Sequence, residues 1–312
     1  MTTIAVVGEV VADAVLPVDG IRDGAAHLTV HPGGGPANFA VALSRLGTDA
    51  RFAGRLSTGA LGQLCRSHLE ASGVDLSASV AADEPATLAI ARLNAGGAAA
   101  YEFYVNGTAD WLWTPEELAP LVADGTPVAI HTGTLALALQ PSGQVIEDLL
   151  RSVRGRITTS IDPNLRTLLI PVELYREKIA DWAAVADIVR LSEDDLTDLW
   201  PGATCEAAAE ILHGHGVELV VISLGGDGAF ASLRGETVRV PIAGTSVVDT
   251  VGAGDSFHGG LLHHLGSNGL LGGGFGSLTL ASLTEALTFA SQVAAITVSR
   301  AGANPPWAHE LG

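Results

Sequence analysis

Residues 248–257 carry the strongest chemical signal in the sequence, which there reads VDTVGAGDSF. Gly252, Ala253 and Gly254 leave backbone N–H groups unobstructed at the start of a stretch with helical periodicity, and such N–H groups favour an anion. The carboxylate of Asp255 follows directly, where it could accept a proton from a hydroxyl group that attacks a bound phosphate. The alternative is that Asp255 only caps the helix, and this segment alone leaves the two interpretations equally good.

A second glycine-rich segment, residues 33–40, reads GGGPANFA. Pro36 suits the first position of a helix, and the glycines before it, Gly34 among them, allow a ligand to approach the backbone closely. Asn38 would then project from the first helical turn and offer a donor and an acceptor to vicinal hydroxyl groups. A plain junction between a loop and a helix is the alternative.

The glycine clusters exclude two familiar classes of nucleotide-binding protein. None of them fits G-x-G-x-x-G, since Asn38 and Phe257 stand where the third glycine would be. The chain has a single lysine, Lys178, in the context of neither a Walker A loop nor a protein-kinase strand. If phosphate is bound, main-chain N–H groups and arginines must hold it.

Composition narrows the class of protein further. The 312 residues are 47% hydrophobic and 16% charged, enough to bury a large core. A formal net charge of -18 argues against nucleic acid as a partner, because neutralising phosphates needs clustered Lys and Arg. Cys65 and Cys205 lack metal-ligand spacing and predict two buried thiols. No run of about 18 uncharged apolar residues indicates a membrane helix, and the N-terminus does not read as a signal peptide, so we expect a cytoplasmic protein.

The elements that must position these residues alternate between strands and helices, a pattern typical of a mostly parallel sheet covered by helices. The predicted strands are residues 4–7, 128–131, 158–162, 188–191 and 219–223. The predicted helices are residues 37–46, 59–71, 145–154, 206–213 and 283–298. Two strand-like runs, 87–93 and 99–105, flank a turn signal at 94–97 and predict a hairpin. With residues 10–17 and 28–30, this hairpin could form a small sheet that serves as a lid or a dimer surface.

Together, segments 33–40 and 248–257 resemble the two signature regions of the ribokinase-like, or phosphofructokinase B (PfkB), family of carbohydrate kinases. Further matches follow in order along the chain: Asp13, residues 162–166 (DPNLR), 192–195 (SEDD), 223–228 (SLGGDG) and 300–303. The resemblance implies one doubly wound α/β domain over residues 1–312, with a small β lid from about 10–31 and 86–107. It also implies ATP-dependent phosphorylation of a sugar hydroxyl group.

Roles for individual residues come from the same resemblance. It makes Asp255 the catalytic base and the N–H groups of Gly252, Ala253 and Gly254 the anion hole. It assigns contacts with the sugar to Asp13, Gly34 and Asn38, a phosphate contact to Arg166, and the approach to the nucleotide to Ser223, Gly226, Gly228 and Gly254. Simpler interpretations stay open for three of these features, since Asp13 could form a turn, Arg166 a surface ion pair, and residues 225–228 an ordinary hairpin.

Two acidic residues are candidate metal ligands. The Asn-x-x-Glu element of the family, associated with Mg²⁺ and phosphate, reads Ser192-Glu193-Asp194-Asp195 here. Asp195 could bind Mg²⁺ through water, although helix capping explains the cluster equally well. Asp249 resembles a family residue near a monovalent-cation site, and since only some members use such an ion, K⁺ is an open addition to ATP and Mg²⁺.

The substrate is the least determined feature. Residues 101–111 and 162–166 resemble the fructokinase branch more than the ribokinase or nucleoside branches, so fructose is the predicted sugar. Ribose, 2-keto-3-deoxygluconate or a nucleoside stays open. A protein of another class, a catalytically idle sensor that binds a sugar or nucleotide, is the further alternative. We expect small-molecule sugar and ATP as partners, neither nucleic acid nor membrane, and a homodimer through the lid as a possible assembly.

Overall fold

A computed structural model describes residues 2–93 and 99–312 of the chain. The predicted turn at residues 94–97 lies outside these described residues. The strands, in chain order, are β1 Thr3–Val7, β2 Val11–Leu16, β3 Ile21–Arg22, β4 Ala25–Ala26, β5 Thr29–Gly33, β6 Asp49–Ala53, β7 Arg55–Ser57, β8 Val80–Ala82, β9 Leu88–Leu93, β10 Ala99–Tyr104, β11 Ala129–Gly133, β12 Thr158–Asp162, β13 Ile188–Ser192, β14 Leu219–Ser223, β15 Ala229–Leu233 and β16 Glu236–Val240. The α-helices are α1 Gly35–Arg45, α2 Ala60–Ala71, α3 Pro115–Leu118, α4 Pro120–Ala123, α5 Thr134–Ala138, α6 Ser142–Val153, α7 Val172–Ala183, α8 Glu193–Leu199, α9 Cys205–Gly214, α10 Ala253–Ser267 and α11 Leu280–Val298.

The main sheet of the described residues has eight strands in the order β16-β15-β14-β13-β12-β11-β1-β6. The six strands from β14 to β6 are parallel, and β15 and β16 extend the edge as an antiparallel pair. The residues of β1 are buried on both faces of the sheet, because helices cover both faces. All five predicted strands lie in this sheet, which confirms the predicted fold class.

Two hydrophobic cores lie on the two faces of this sheet. Alternate residues of β1 divide between them, since Ile4 and Val6 pack with α1, α10 and α11, whereas Ala5 and Val7 pack with α6, α7, α8 and α9. The five predicted helices correspond to α1, α2, α6, α9 and α11, with ends that differ by a few residues.

A small four-stranded sheet, in the order β10-β9-β2-β5, stands apart from the main one. The two predicted strands at 87–93 and 99–105 are its antiparallel pair β9 and β10, and β2 joins β9 in parallel and β5 antiparallel. The buried carboxylate of Asp110 anchors the segment between β1 and β2: it accepts hydrogen bonds from Val10 N at 3.0 Å and Thr87 Oγ1 at 2.6 Å. These hydrogen bonds attach the segments that lead into β2 and β9 to the end of the main sheet.

Helix α11 is, among the described helices, the one long and apolar enough to cross a membrane by length and composition. It packs instead on α10, and its residues Leu283, Leu287, Ala290 and Val293 are fully buried in the second core. The apolar stretch is explained by its place in the core of the domain.

Candidate active site

Two cavities meet at the carboxyl ends of the parallel strands, where open α/β sheets usually bind ligands. The first, of about 360 Å³, lies between the main and small sheets. The second, of about 260 Å³, lies between β14 and the helices α10 and α11. Both are lined by Arg190, Thr250 and Gly254. Ligands in the two cavities would therefore meet at the N-terminus of α10.

Asp255 occupies the first turn of α10 and lines the first cavity. Its Oδ2 accepts a hydrogen bond of 2.9 Å from Asn38 Nδ2, which fixes the carboxylate relative to the first turn of α1. Burial raises the pKa of Asp255 from about 3.8 to about 6, against the opposing effect of the Asn38 hydrogen bond, with Asp162 adding to the rise. The side chain thus faces an open cavity with a pKa near the range that suits a general base at neutral pH.

The backbone before Asp255 supplies hydrogen-bond donors. Gly252 caps α10 with a left-handed φ of 73°, and a Cβ there would lie 2.6 Å from the Cβ of Ala303, so only glycine fits. Ala253 N donates to Thr250 O at 3.2 Å. Within the described residues the N–H groups of Gly252 and Gly254 have no acceptor. Of the three predicted anion-hole donors, the N–H groups of Gly252 and Gly254 are therefore available to a ligand, whereas the N–H of Ala253 is occupied by the carbonyl of Thr250.

The three residues predicted to contact the sugar, Asp13, Gly34 and Asn38, line the first cavity, and so does Arg166, which is predicted to contact phosphate. Asp13 extends from β2, and burial raises its pKa to about 6 although Arg166 and His31 oppose the rise. Gly34 has a φ of 101°, and a Cβ there would lie 2.8 Å from Glu9 O. Arg166 is exposed but is held over the cavity, since its Nη1 donates to Asn164 Oδ1 at 2.7 Å.

The residues predicted to approach the nucleotide, Ser223, Gly226, Gly228 and Gly254, line the second cavity. Residues 225–228 connect the antiparallel strands β14 and β15, so they form the loop of a hairpin, with a 3₁₀ turn at Gly225–Asp227. Apolar side chains, including Ile242, Phe257 and Val298, line the same cavity. Backbone at one end and an apolar surface elsewhere suit a ligand that has a phosphate end and a flat ring.

The two candidate metal ligands have structural roles in the described residues. Asp195 is 4% exposed; its Oδ1 accepts from Leu165 N, and its Oδ2 accepts from Ser192 N and Oγ, at 2.7–2.8 Å. This is a capping box for α8. The capping interpretation is therefore the stronger one for Asp195. Asp249 Oδ1 accepts from Val251 N and its Oδ2 accepts from Gly302 N at 2.8 Å, which joins the segment before α10 to the one after α11.

Sequence reasoning assigned no role to several residues that line the first cavity, among them Glu9, Thr134, Asn164 and Arg190. Glu9 is 1% exposed, burial raises its pKa to about 8, and its Oε2 accepts from Ala136 N at 3.1 Å. A signal existed for Arg190, because a lone charge inside the apolar strand IVRLS must be paired or functional. Thr134 and Asn164 follow β11 and β12, and only the order of the parallel strands brings them together.

The pH dependence of kcat follows from the raised pKa of Asp255. A base with a pKa of about 6 is deprotonated above pH 6 and protonated below it, so kcat for phosphoryl transfer should be constant from about pH 7 to 8 and fall roughly tenfold per pH unit below about pH 6. Initial rates at saturating substrate, measured from pH 5 to 8, test this prediction.

Asn38→Ala provides the control for this assignment. Because the hydrogen bond from Asn38 lowers the pKa of Asp255, its loss should move the inflection to higher pH. A profile without an inflection between pH 5 and 7.5, or one that Asn38→Ala leaves in place, would contradict the role of Asp255 as the titrating base.

The fold is that of ribokinase-like kinases: a doubly wound α/β sheet with a small sheet over its strand ends. A carboxylate at a glycine-lined helix N-terminus lies where two cavities meet, as the resemblance to that family implies. The family model described as "pfkB family carbohydrate kinase" matches residues 1–310. The chain therefore belongs to the pfkB family of carbohydrate kinases, and the resemblance seen in the sequence is confirmed.

Curated relatives give the same result. A fructokinase from Rhizobium leguminosarum bv. trifolii is 36% identical over 244 residues, which are 77% of this chain and 73% of the relative. A fructokinase from Klebsiella pneumoniae is 31% identical over 299 residues, 94% of each chain. Both matches cover more than two thirds of each chain.

Solved structures share the fold over almost the whole chain. An ATP-bound fructokinase from Xylella fastidiosa superposes with a TM-score of 0.88 at 24% identity, covering 99% of this chain and 97% of the other. An aminoimidazole riboside kinase from Salmonella enterica, complexed with its riboside and an ATP analogue, has a TM-score of 0.81 at 27% identity, covering 99% and 98%. A double-mutant fructokinase from Vibrio cholerae O395, with fructose, ADP and potassium ion bound, has a TM-score of 0.79 at 25% identity, covering 97% and 94%.

Proposed function

We propose that this chain is a fructokinase that transfers the γ-phosphoryl group of ATP to D-fructose and forms fructose 6-phosphate. The observation that carries the proposal is the position of Asp255, which Asn38 holds at the point where the two cavities meet. The fructokinase relatives at 36% and 31% identity support fructose as the acceptor. The first cavity suits a sugar because carboxylates, an amide and a guanidinium converge on it.

The reaction uses the meeting point of the cavities. Asp255 accepts the proton of the sugar hydroxyl group as its oxygen forms a bond to the γ-phosphorus. The bond from that phosphorus to the bridging oxygen breaks, and its electron pair stays on ADP. The N–H groups of Gly252 and Gly254 bind the oxygens on which negative charge is concentrated, and Arg166 adds positive charge at the open side of the first cavity.

Mg²⁺ is the proposed companion of ATP, and it would neutralise charge on the phosphates. Within the described residues, no cluster of three or more His, Cys, Asp or Glu side chains could hold a metal ion. That arrangement fits Mg²⁺, which usually keeps several waters and is held largely by substrate phosphates. Asp195 is 4% exposed and lines neither cavity, so contact between this carboxylate and Mg²⁺ would have to pass through water. K⁺ near Asp249 is a further part of the proposal, supported by the potassium-bound neighbour.

The small sheet is the proposed lid. It contributes Val11, Asp13, Ala89 and Phe103 to the wall of the first cavity, so movement of this sheet would open or close the sugar site to water. Tyr101 and Tyr104 of β10 are about half exposed and leave an apolar surface for a second copy in a homodimer. The buried free thiols of Cys65 and Cys205 fit a reducing cytoplasm, where ATP is available.

A coupled ADP-release assay tests the proposal across fructose, ribose, 2-keto-3-deoxygluconate, adenosine and aminoimidazole riboside. We expect fructose to give the highest kcat/KM, and ³¹P NMR to identify the product as the 6-phosphate. The riboside is the second candidate, because a riboside kinase has the same fold at 27% identity. A kcat/KM for another acceptor at least tenfold above that for fructose would overturn the substrate assignment, and nucleotide binding without ADP release for any acceptor would indicate a sensor.

A further inference from the structure

Arg190 lies between the two cavities and belongs to none of the family signatures described above. It extends from the central strand β13, its side chain is 5% exposed, and it lines both cavities. Its Nη1 donates to Asp162 Oδ2 at 2.8 Å, and its Nη2 donates to the hydroxyl group of Ser223. A fixed positive charge therefore lies at the boundary between the sugar site and the nucleotide site.

The guanidinium group also touches the predicted anion hole. A Cβ at Gly254 would lie 2.7 Å from Nη2 and 2.8 Å from Nη1 of Arg190. The backbone of Gly254 therefore packs directly on the guanidinium group, and a side chain at position 254 would displace it. The guanidinium group is thus in contact with the residue whose free N–H group lies at the N-terminus of α10.

A structural ion pair does not by itself account for this arrangement. Burying an arginine and an aspartate costs desolvation energy, and apolar residues of similar size often stabilise a core equally well. Within the described chain, Arg190 Nε and Asp162 Oδ1 have no hydrogen-bond partner, so the pair is only partly satisfied. A guanidinium group is however suited to phosphate, because its planar donors match two phosphate oxygens.

We propose that Arg190 contacts the phosphoryl group during its transfer and stabilises it together with the N–H of Gly254. This inference rests on the proposed kinase function. As the sugar oxygen bonds to the γ-phosphorus and gives its proton to Asp255, the bond to the bridging oxygen breaks and the electron pair remains on ADP. Arg190 lies where the transferring group passes from one cavity to the other, and Asp162 and Ser223 fix its orientation.

The test must separate this role from the stability of the core. Arg190→Met alone leaves Asp162 buried without its cation, which is strongly destabilising. The double variant Arg190→Met/Asp162→Asn removes both charges, so it should fold. If Arg190 served only the stability of the core, this folded variant would have the wild-type kcat. We expect its kcat to stay at least about 100-fold below wild type. Arg190→Lys should recover part of the loss, since it keeps a positive charge without the planar fork.

A measurement without turnover completes the test. With MgADP, fructose and aluminium fluoride, which imitates the transferring phosphoryl group, the double variant should bind the complex at least tenfold more weakly than wild type. Its affinity for ADP alone should stay within about threefold. Lys178→Met is the matched control: it removes the cation beside the buried Glu147, 3.1 Å away, and Lys178 lines neither cavity, so kcat should not change.

Two results would overturn the inference. The first is a folded double variant with a kcat within threefold of wild type, and the second is equal loss of affinity for ADP and for the aluminium fluoride complex. The rate at which wild type phosphorylates fructose tests the proposed function separately. If wild type forms no sugar phosphate, the proposed function fails. If wild type and the double variant form sugar phosphate at similar rates, only the role of Arg190 is refuted.

Discussion

Asp255→Asn should lower kcat for sugar phosphorylation by at least about 100-fold and leave the protein folded. The amide of asparagine keeps the size of the side chain and can still contact Asn38, but it cannot accept the proton of the attacking hydroxyl group. The KM for sugar should change little, because the hydrogen-bonding groups of the cavity remain. Steady-state ADP release with fructose measures both constants.

Stability provides the control for this variant. Because the pKa of Asp255 in the folded protein lies above its ordinary value, the folded state binds a proton more tightly than the unfolded chain between about pH 4 and 6. Stability is therefore lost as the pH rises through that window and is not regained at pH 7. Asp255→Asn removes this cost, so its melting temperature at pH 7 should equal or exceed that of wild type.

Asp194→Asn is the matched control for activity. Asp194 is an exposed carboxylate in the first turn of α8, so its substitution should change kcat less than twofold.

Gly252→Ala should reduce kcat by about 100-fold through the loss of the anion hole. An added Cβ would lie 2.6 Å from the Cβ and 2.9 Å from the Cα of Ala303, so the backbone at the start of α10 must shift. The N–H groups of Gly252 and Gly254 then no longer point at a common site. The expected loss appears in kcat, measured at saturating ATP and fructose.

Gly269→Ala separates backbone strain from the loss of the donors. Gly269 has a φ of 68°, close to the 73° of Gly252, but a Cβ there would meet nothing within 4 Å. Both substitutions therefore cost about 1–2 kcal/mol of stability from the left-handed backbone alone. If Gly269→Ala lowered kcat as much as Gly252→Ala, or if Gly252→Ala kept at least half of the wild-type kcat, the anion hole would not be the cause.

The strands and helices could be predicted from the sequence where a segment follows a single hydrophobic pattern. Three of the predicted strands of the main sheet, β1, β13 and β14, are short and mainly apolar runs between helical patterns, and the structure has all five predicted strands. The pair β15–β16 was harder to predict from the sequence, since β16 lies at the edge of the sheet and most of its residues are exposed. The hairpin β9–β10 was predictable from its two runs, although the turn between them lies outside the described residues.

The parts of the site that consist of neighbouring residues in the sequence could be predicted. The glycines and Asp255 form one local motif, and Gly34 and Asn38 form another. What the sequence could not provide is their assembly, because the contact of Asn38 with Asp255 spans 217 positions. Arg190 and Glu9 belong to buried segments whose neighbours are set by strand order. Asp195 was ambiguous because a capping box and a metal ligand use the same residue types at the same spacing.

The most direct test of the central claim is the rate of one phosphoryl transfer, followed by rapid quench with limiting labelled ATP and excess enzyme and fructose. In wild type we expect this rate to fall below about pH 6, as Asp255 becomes protonated. In Asp255→Asn the residual rate should be at least about 100-fold lower and show no inflection near pH 6. An inflection that persists in the variant, or a single-turnover rate close to wild type, would show that another group accepts the proton.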